Sequence, residues 1–107
     1  MNPKFNPGIN LNPALDYFQA IRQRRYEMVS PQMIRVIQLC YQSGITDHDT
    51  IKREVLRILK LPKCHHKEDS KTLDFLIPEV LIDARVRLKY LQIPLIDPFT
   101  KEMMPVQ

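Results

Sequence analysis

Nine prolines and only two glycines constrain how this chain of 107 residues can fold. Glycine most readily forms left-handed turns, whereas proline suits the first position of a helix, where its missing N–H would have no partner anyway. The chain should therefore mark its helix starts mainly with proline. Three prolines stand at such positions, and in the first two pairs the preceding residue can also cap the helix: Asn12-Pro13, Ser30-Pro31 and Ile77-Pro78.

Apolar residues recur at helical spacing after each of these prolines, and once more after the segment from Thr46 to Asp49, which is a capping-box variant. Gly44 is a natural stop for the helix before that segment. These patterns predict an all-α fold, an orthogonal or bundle-like domain of about four helices at roughly residues 13–28, 31–42, 47–60 and 78–92. A short helical turn is also expected around residues 70–76.

The length and composition allow one hydrophobic core. Apolar residues make up 44% of the chain and charged residues 26%, which is typical of a folded globular protein. We therefore expect a single helical domain at residues 13–92, an extended tail at 1–12 and an extended apolar tail at 93–107. Both tails contain prolines, which favour extended backbone.

The predicted first helix carries a charge on its apolar face. Arg25 falls in the same arc as Phe18, Ile21 and Met28. Either the helix ends before Arg25, or the guanidinium extends past the edge of the core into solvent, or a carboxylate pairs with it. We favour extension into solvent.

The predicted last helix has two apolar faces. Its larger face contains Ala84 and Leu88, and a second row on the other side contains Ile82, Val86 and Tyr90. A helix that is apolar on two sides is usually buried on both, and a domain of this size has little material to cover the second side. We therefore expect this row to be covered either by the tails or by a partner.

The tails are apolar, unlike solvating linkers. Phe5 lies in the first tail, and Leu95, Ile96 and Phe99 lie in the second. Exposed apolar residues promote association, so these tails should lie against something. One alternative is that they fold back over the helices; the other is that a tail occupies a groove on a larger partner.

A nucleic-acid-binding function is the alternative prediction. Residues 31–60 are predicted as helix, tight turn and helix, and the second helix carries Arg53, Arg57 and Lys60. The start of that helix, however, contains Asp47 and Asp49, which phosphates would repel. The mild net charge of +4 selects no partner class.

Candidate metal and catalytic motifs are weak. Cys64, His65 and His66 are adjacent, but zinc ligands usually occur in pairs two to four residues apart, and no second cysteine is near. A calcium loop starting at Asp47 would need glycine and glutamate where Lys52 and Ile58 stand. We expect no metal, no cofactor and no enzymatic activity.

The sequence therefore predicts a non-catalytic interaction protein, a structural or assembly subunit of a larger complex. Its partner would bind Ile82, Val86 and Tyr90 together with the apolar residues of the tails. Few cysteines and no long apolar segment favour an intracellular setting, cytoplasmic or nuclear, and not a membrane. A cytoskeletal or ciliary assembly would be one such setting.

Overall fold

The computed structural model describes residues 13–104 and is mostly helical. Three α-helices occur in this range, with no β-strand among the described residues: α1 at Pro13–Gln42, α2 at His48–Ile58 and α3 at His66–Arg85. A short 3-10 turn at Lys63–His65 precedes α3, and a π-helical segment at Val86–Leu91 continues it. The all-α prediction is therefore confirmed, whereas the number of helices differs from the prediction.

The first two predicted helices are one continuous helix. Pro31 lies inside α1, and no break occurs at Ser30. A proline inside a helix removes one backbone hydrogen bond, here the bond to the carbonyl of Glu27, at a cost of about 3 kcal/mol. The buried residues that follow the interruption, Met33, Val36, Ile37 and Cys40, offset that cost by packing in the core.

The predicted turn at 70–76 and the predicted helix at 78–92 are likewise one helix. Pro78 lies inside α3, and the buried residues Leu73, Ile77 and Val80 follow one face across it. Both errors have the same physical origin. A proline preference for the first helical turn does not prevent an internal proline where the flanking residues are held by tertiary contacts.

The cap of α2 is Asp47, one residue after the Thr46 that the predicted capping box would use. The Asp47 carboxylate accepts hydrogen bonds from the N–H and the hydroxyl of Thr50, at 2.9 and 2.7 Å. These bonds lower the pKa of Asp47. Gly44 ends the preceding turn with a φ of +86°, a conformation that favours glycine. The helix thus lies within the predicted range of 47–60.

The main core lies where α1, α2 and α3 meet. Arg25 near the middle of α1 contacts Asp69 near the start of α3, and Tyr41 at the end of α1 packs beside Ala84, so α1 and α3 run in the same direction. The core residues recur at helical spacing on each of the three helices: Met33, Val36, Ile37 and Cys40 from α1, Ile51 and Val55 from α2, and Leu73, Leu76, Ile77 and Val80 from α3.

The molecule is elongated. Its radius of gyration is 18.1 Å and its principal-axis extents are 60 × 30 × 20 Å. A compact chain of this length would have a radius of gyration of about 13 Å. Every residue of α1 from Ala14 to Arg24 is exposed, which locates part of this elongation in the N-terminal part of that helix.

The C-terminal segment is folded back and is not an extended tail. Ile96 and Met103 form an antiparallel bridge, and Met104 donates its N–H to the carbonyl of Leu95 at 2.7 Å. Leu95 and Met104 are buried with Ala84, so residues 95–104 belong to the folded domain. The prediction of an N-terminal tail at 1–12, including Phe5, lies outside the described residues.

Candidate protein-binding surfaces

The first surface is a row of apolar side chains on the side of α3 and the π-helical segment that faces away from the core. Ile82 is 63% exposed, Val86 40% and Tyr90 67%. The buried residues Val80 and Ala84 lie on the opposite side of the same turn. The sequence analysis expected either the tails or a partner to cover these three residues. Residues 95–104, the C-terminal hairpin, leave them exposed.

Phe75 extends this row, and the sequence prediction missed it. Phe75 precedes Ile82 by seven residues, two helical turns, and its side chain is 62% exposed. The spacing of residues 75, 82 and 86 indicates one face of a single helix. The interpretation of Pro78 as a helix start separated Phe75 from the other two residues. We call Phe75, Ile82, Val86 and Tyr90 the outer row.

The π-helical segment positions the last residue of the outer row. The Arg85 guanidinium lies 5.9 Å from the centre of the Tyr90 ring and donates a long hydrogen bond of 3.4 Å to its hydroxyl. The segment ends at Gln92, which adopts a left-handed conformation, and the N–H of Ile93 returns to the carbonyl of Arg87 at 2.8 Å. A wide turn of this kind replaces regular α-helical geometry and is frequent at functional sites.

A groove borders the outer row on the side of the turn between α1 and α2. One wall carries Leu81, Ile82, Arg85 and Lys89 from α3 and the π-helical segment, and the other carries Tyr41, Gly44 and Thr46. The wall from α3 is therefore apolar near Ile82 and basic beside it. Such a groove can accommodate an apolar side chain and orient an acidic one.

The predicted binding residues of the C-terminal segment do not join the outer row. Leu95 is completely buried beside Ala84, so its use as a partner contact is corrected: it stabilises the domain itself. Ile96 is half-buried, and its carbonyl accepts a hydrogen bond from Gln38 at 2.8 Å. Only Phe99, at the tip of the turn, remains exposed.

Asp97 fixes the turn of this C-terminal segment against α1. Its carboxylate accepts hydrogen bonds from the N–H groups of Phe99 and Thr100, at 2.7 and 3.2 Å, and forms an ion pair with Arg35. The backbone bond from Phe99 is the largest influence that lowers the pKa of Asp97, and Thr100 and Arg35 act in the same direction against the effect of burial. The turn is thus held by a charged group.

The second surface is the N-terminal half of α1. Large apolar side chains are exposed there, and the helix carries them around much of its circumference: Leu15, Tyr17, Phe18, Ile21 and Tyr26. The rings of Tyr17 and Phe18 contact each other edge to face, with centroids 5.9 Å apart. Residues 14–24 of this half are all exposed, because α3 begins only at the level of Arg25.

Arg25 is paired with a carboxylate, which corrects the expectation that it extends into solvent. Its two terminal nitrogens donate to the two oxygens of Asp69 at 2.6 and 3.0 Å. Asp69 is only 2% exposed. The hydrogen bond that Arg25 donates to Asp69 raises the pKa of Arg25 against the opposing effect of burial, so the guanidinium stays charged.

The basic residues of α2 are partly engaged within the chain. Arg57 donates two hydrogen bonds to Glu54, at 2.9 and 3.0 Å, and these bonds lower the pKa of Glu54. Arg53 makes a long contact of 3.5 Å with the Thr50 hydroxyl, and Lys60 follows the end of the helix with a left-handed backbone. Of these three cations, Arg57 therefore has a carboxylate partner on the same helix.

The cysteine and histidine residues do not form a site in the described part of the chain. Cys64 is exposed, Cys40 is buried, and burial raises the pKa of the Cys40 thiol. The ring of His66 bonds the carbonyl of Leu61 at 2.8 Å, and the ring of His48 bonds Asp74 at 2.9 Å. Among residues 13–104, no three His, Cys, Asp or Glu side chains are grouped as metal ligands.

None of the described helices is long and apolar enough to cross a membrane. Comparison of the chain with known protein families, with curated proteins and with solved structures finds no match. The two exposed apolar surfaces are therefore the features on which a functional argument can be built.

Proposed function

We propose that this protein is a non-catalytic interaction protein, a structural or assembly subunit that binds a larger protein complex through the outer row. The carrying observation is the exposure of Phe75, Ile82, Val86 and Tyr90 along one side of a single helix. Isolated exposed apolar residues are common, but several on one helical face are typical of a contact with another protein.

The position of the C-terminal hairpin supports this proposal. The hairpin, residues 95–104, packs beside Ala84 on the core side of α3 and leaves the outer row exposed. The outer row thus remains available without any rearrangement of the domain. The neighbouring groove, with Leu81 and Arg85 in one wall, gives the partner a concave site in which to anchor a side chain.

The proposal is tested by replacing Ile82, Val86 and Tyr90 with serine in the full chain. Tagged wild-type and variant proteins are compared by affinity purification from the source cells with quantitative mass spectrometry. We expect at least one co-purifying protein to fall about tenfold or more, because several central apolar contacts are lost. Helicity and the thermal midpoint should be retained, since the replaced side chains are already exposed.

The matched control replaces three exposed apolar residues elsewhere with serine: Met28, Ile58 and Met103. The same co-purifying protein should be retained by this control. Equal loss with both variants would indicate non-specific apolar association. Unfolding of the outer-row variant would show that the row is part of the core, and either result would overturn the proposal.

A further inference from the structure

The second surface continues the core-facing stripe of α1 beyond the end of the core. In the C-terminal half of the helix, Val29, Met33, Val36 and Cys40 are at least half-buried, and the last three belong to the buried core. The same stripe continues toward the N-terminus at intervals of three and four residues through Arg25, Arg22, Phe18 and Leu15. Helix α1 therefore presents the same face to the core and, further along, to solvent.

This uncovered part is too long to be an ordinary fraying helix end. Residues 13–24 rise about 18 Å along the helix axis, at about 1.5 Å per residue. Short helices without tertiary contacts are marginal in water, and most helical stability in proteins comes from packing of an apolar face. We therefore expect another apolar surface to pack on Leu15 and Phe18, as α3 packs on Met33.

The two arginines of the stripe indicate the charge of that cover. Arg25 is neutralised by Asp69, which α3 supplies. Arg22, one turn earlier on the same stripe, forms no ion pair or side-chain hydrogen bond within residues 13–104. Helix α3 begins at His66, so Glu68 is the one other carboxylate that its first turn offers near Arg22. Glu68 lies in the wall of the same groove but does not form an ion pair with Arg22.

The groove between Arg22 and the start of α3 also contains an unsatisfied polar atom. The Oγ of Ser30 is buried and has no hydrogen-bond partner among the described residues. Ser30 lines this groove together with Gln19, Tyr26 and Thr72. The walls of this groove therefore contain polar as well as apolar side chains.

We propose that the N-terminal half of α1 binds an acidic amphipathic helix of another protein. The helix would pack its apolar residues on Leu15 and Phe18, in line with α3, and present a carboxylate to Arg22. A second copy of this chain fits less well, because the stripe that it would present carries Arg22 and Arg25 but no carboxylate. This surface is separate from the outer row, so either proposal can fail alone.

The probe is a pair of synthetic helical peptides that share one leucine face and differ only in flanking residues, Glu in one and Lys in the other. Binding to the full chain is measured by fluorescence anisotropy at low salt. We expect the Glu peptide to bind about tenfold more tightly than the Lys peptide, because attraction at Arg22 is replaced by repulsion. The variant Arg22→Glu should reverse this preference.

Apolar contacts are tested with Phe18→Ala, which should weaken both peptides, and with the control Met28→Ala, which should leave binding unchanged. Met28 is exposed on the same helix but lies off the stripe, and alanine preserves helix propensity in both variants. Hydrogen exchange should slow within residues 14–24 when the Glu peptide binds. Protection of the outer row instead would place the peptide on the other surface and overturn this assignment.

Three further outcomes would overturn the proposal. The first is absence of binding by the Glu peptide, or equal binding of both peptides. The second is concentration-dependent dimerisation in sedimentation that Phe18→Ala abolishes, which would identify a second copy as the occupant. The third is binding of anionic phospholipid vesicles that Phe18→Ala and Arg22→Glu both abolish, combined with no peptide binding, which would identify a membrane surface.

Discussion

Asp69 is the most deeply buried charged residue in the described part of the chain, and its charge is balanced by Arg25. A buried carboxylate is costly unless it is paired and hydrogen-bonded. The two nearly parallel bonds from the guanidinium provide both conditions with a defined geometry. This pair also connects the level at which α1 enters the core with the first turn of α3.

Removing Arg25 should therefore destabilise the protein more than removing an exposed polar contact. We expect Arg25→Ala to lower the free energy of unfolding by about 3 kcal/mol, because Asp69 would remain buried without a partner. Urea unfolding followed by circular dichroism measures this change. The double variant Arg25→Met, Asp69→Leu should recover most of the loss, since apolar residues can replace a buried ion pair.

The control for Arg25 is Gln23→Ala, which removes an exposed hydrogen bond of 2.9 Å to Glu27 on the same helix. It should change the free energy of unfolding by less than about 0.5 kcal/mol. A loss below about 1 kcal/mol for Arg25→Ala would contradict the buried pairing of Asp69.

Asp97 makes the attachment of the C-terminal hairpin dependent on pH. Since the folded state lowers the pKa of Asp97, its charged form stabilises the protein at pH values above its ordinary pKa of 3.8. That contribution should disappear as the pH falls from this value through the lower pKa of the folded state. The difference in unfolding free energy between wild type and Asp97→Asn should therefore shrink over this range.

The Asp97→Asn variant is a suitable reference because asparagine can still accept the turn hydrogen bonds from Phe99 and Thr100. Asp47, Glu54 and Asp74 also have lowered pKa values, so the total acid dependence is shared, and only the difference between the two proteins reports on Asp97. The same difference at every pH would contradict a charged anchor at the turn.

At the scale of elements, α1 and α3 each continue through an internal proline. Ser30 was predicted to cap a new helix, yet its hydroxyl is buried without a partner and caps nothing. The continuous helix brings residues before and after Pro31 onto one stripe, and the same holds for Phe75 and Ile82 around Pro78. Both candidate surfaces depend on this continuity.

Ser30→Ala and Pro31→Ala together distinguish one helix from two. In a continuous helix, Pro31→Ala restores the N–H that donates to the carbonyl of Glu27 and should stabilise the protein by about 1 to 3 kcal/mol. Ser30→Ala should be neutral or stabilising, because it removes an unsatisfied buried hydroxyl. If Ser30 instead caps a second helix, its replacement should cost about 1 kcal/mol. Thermal and urea unfolding of both variants measures these signs.

Local signals in the sequence predicted the elements better than their connections. Gly44 and the acidic residues at the helix start located α2 to within two residues at each end, although the cap is Asp47 and not Thr46, because those interactions involve neighbours in the chain. The pairing of Arg25 with Asp69 joins residues 44 positions apart, and no local pattern specifies it. The same limit explains why Leu95 was predicted as a partner contact: an apolar residue in a proline-containing segment has the same local pattern whether it contacts its own core or another protein.

At the scale of the whole molecule, the chain combines a small core with surfaces at two separate places. One is the N-terminal half of α1, and the other is the outer row on α3 and the π-helical segment. The row at Ile82, Val86 and Tyr90 was enough to predict that the chain has more apolar surface than one domain can cover. The protruding half of α1 was not predicted, since its apolar residues were assigned to the core of a compact bundle.

The folded-back C-terminal hairpin has a consequence for shortened forms of the gene product. A premature stop codon after Gln92 would leave all three helices encoded, so the product would retain most of its helical signal. It would nevertheless lack Leu95 and Met104, leaving Ala84 and Leu88 without their packing neighbours. Such a product would resemble the native protein in secondary structure while presenting a newly exposed apolar patch to chaperones and proteases.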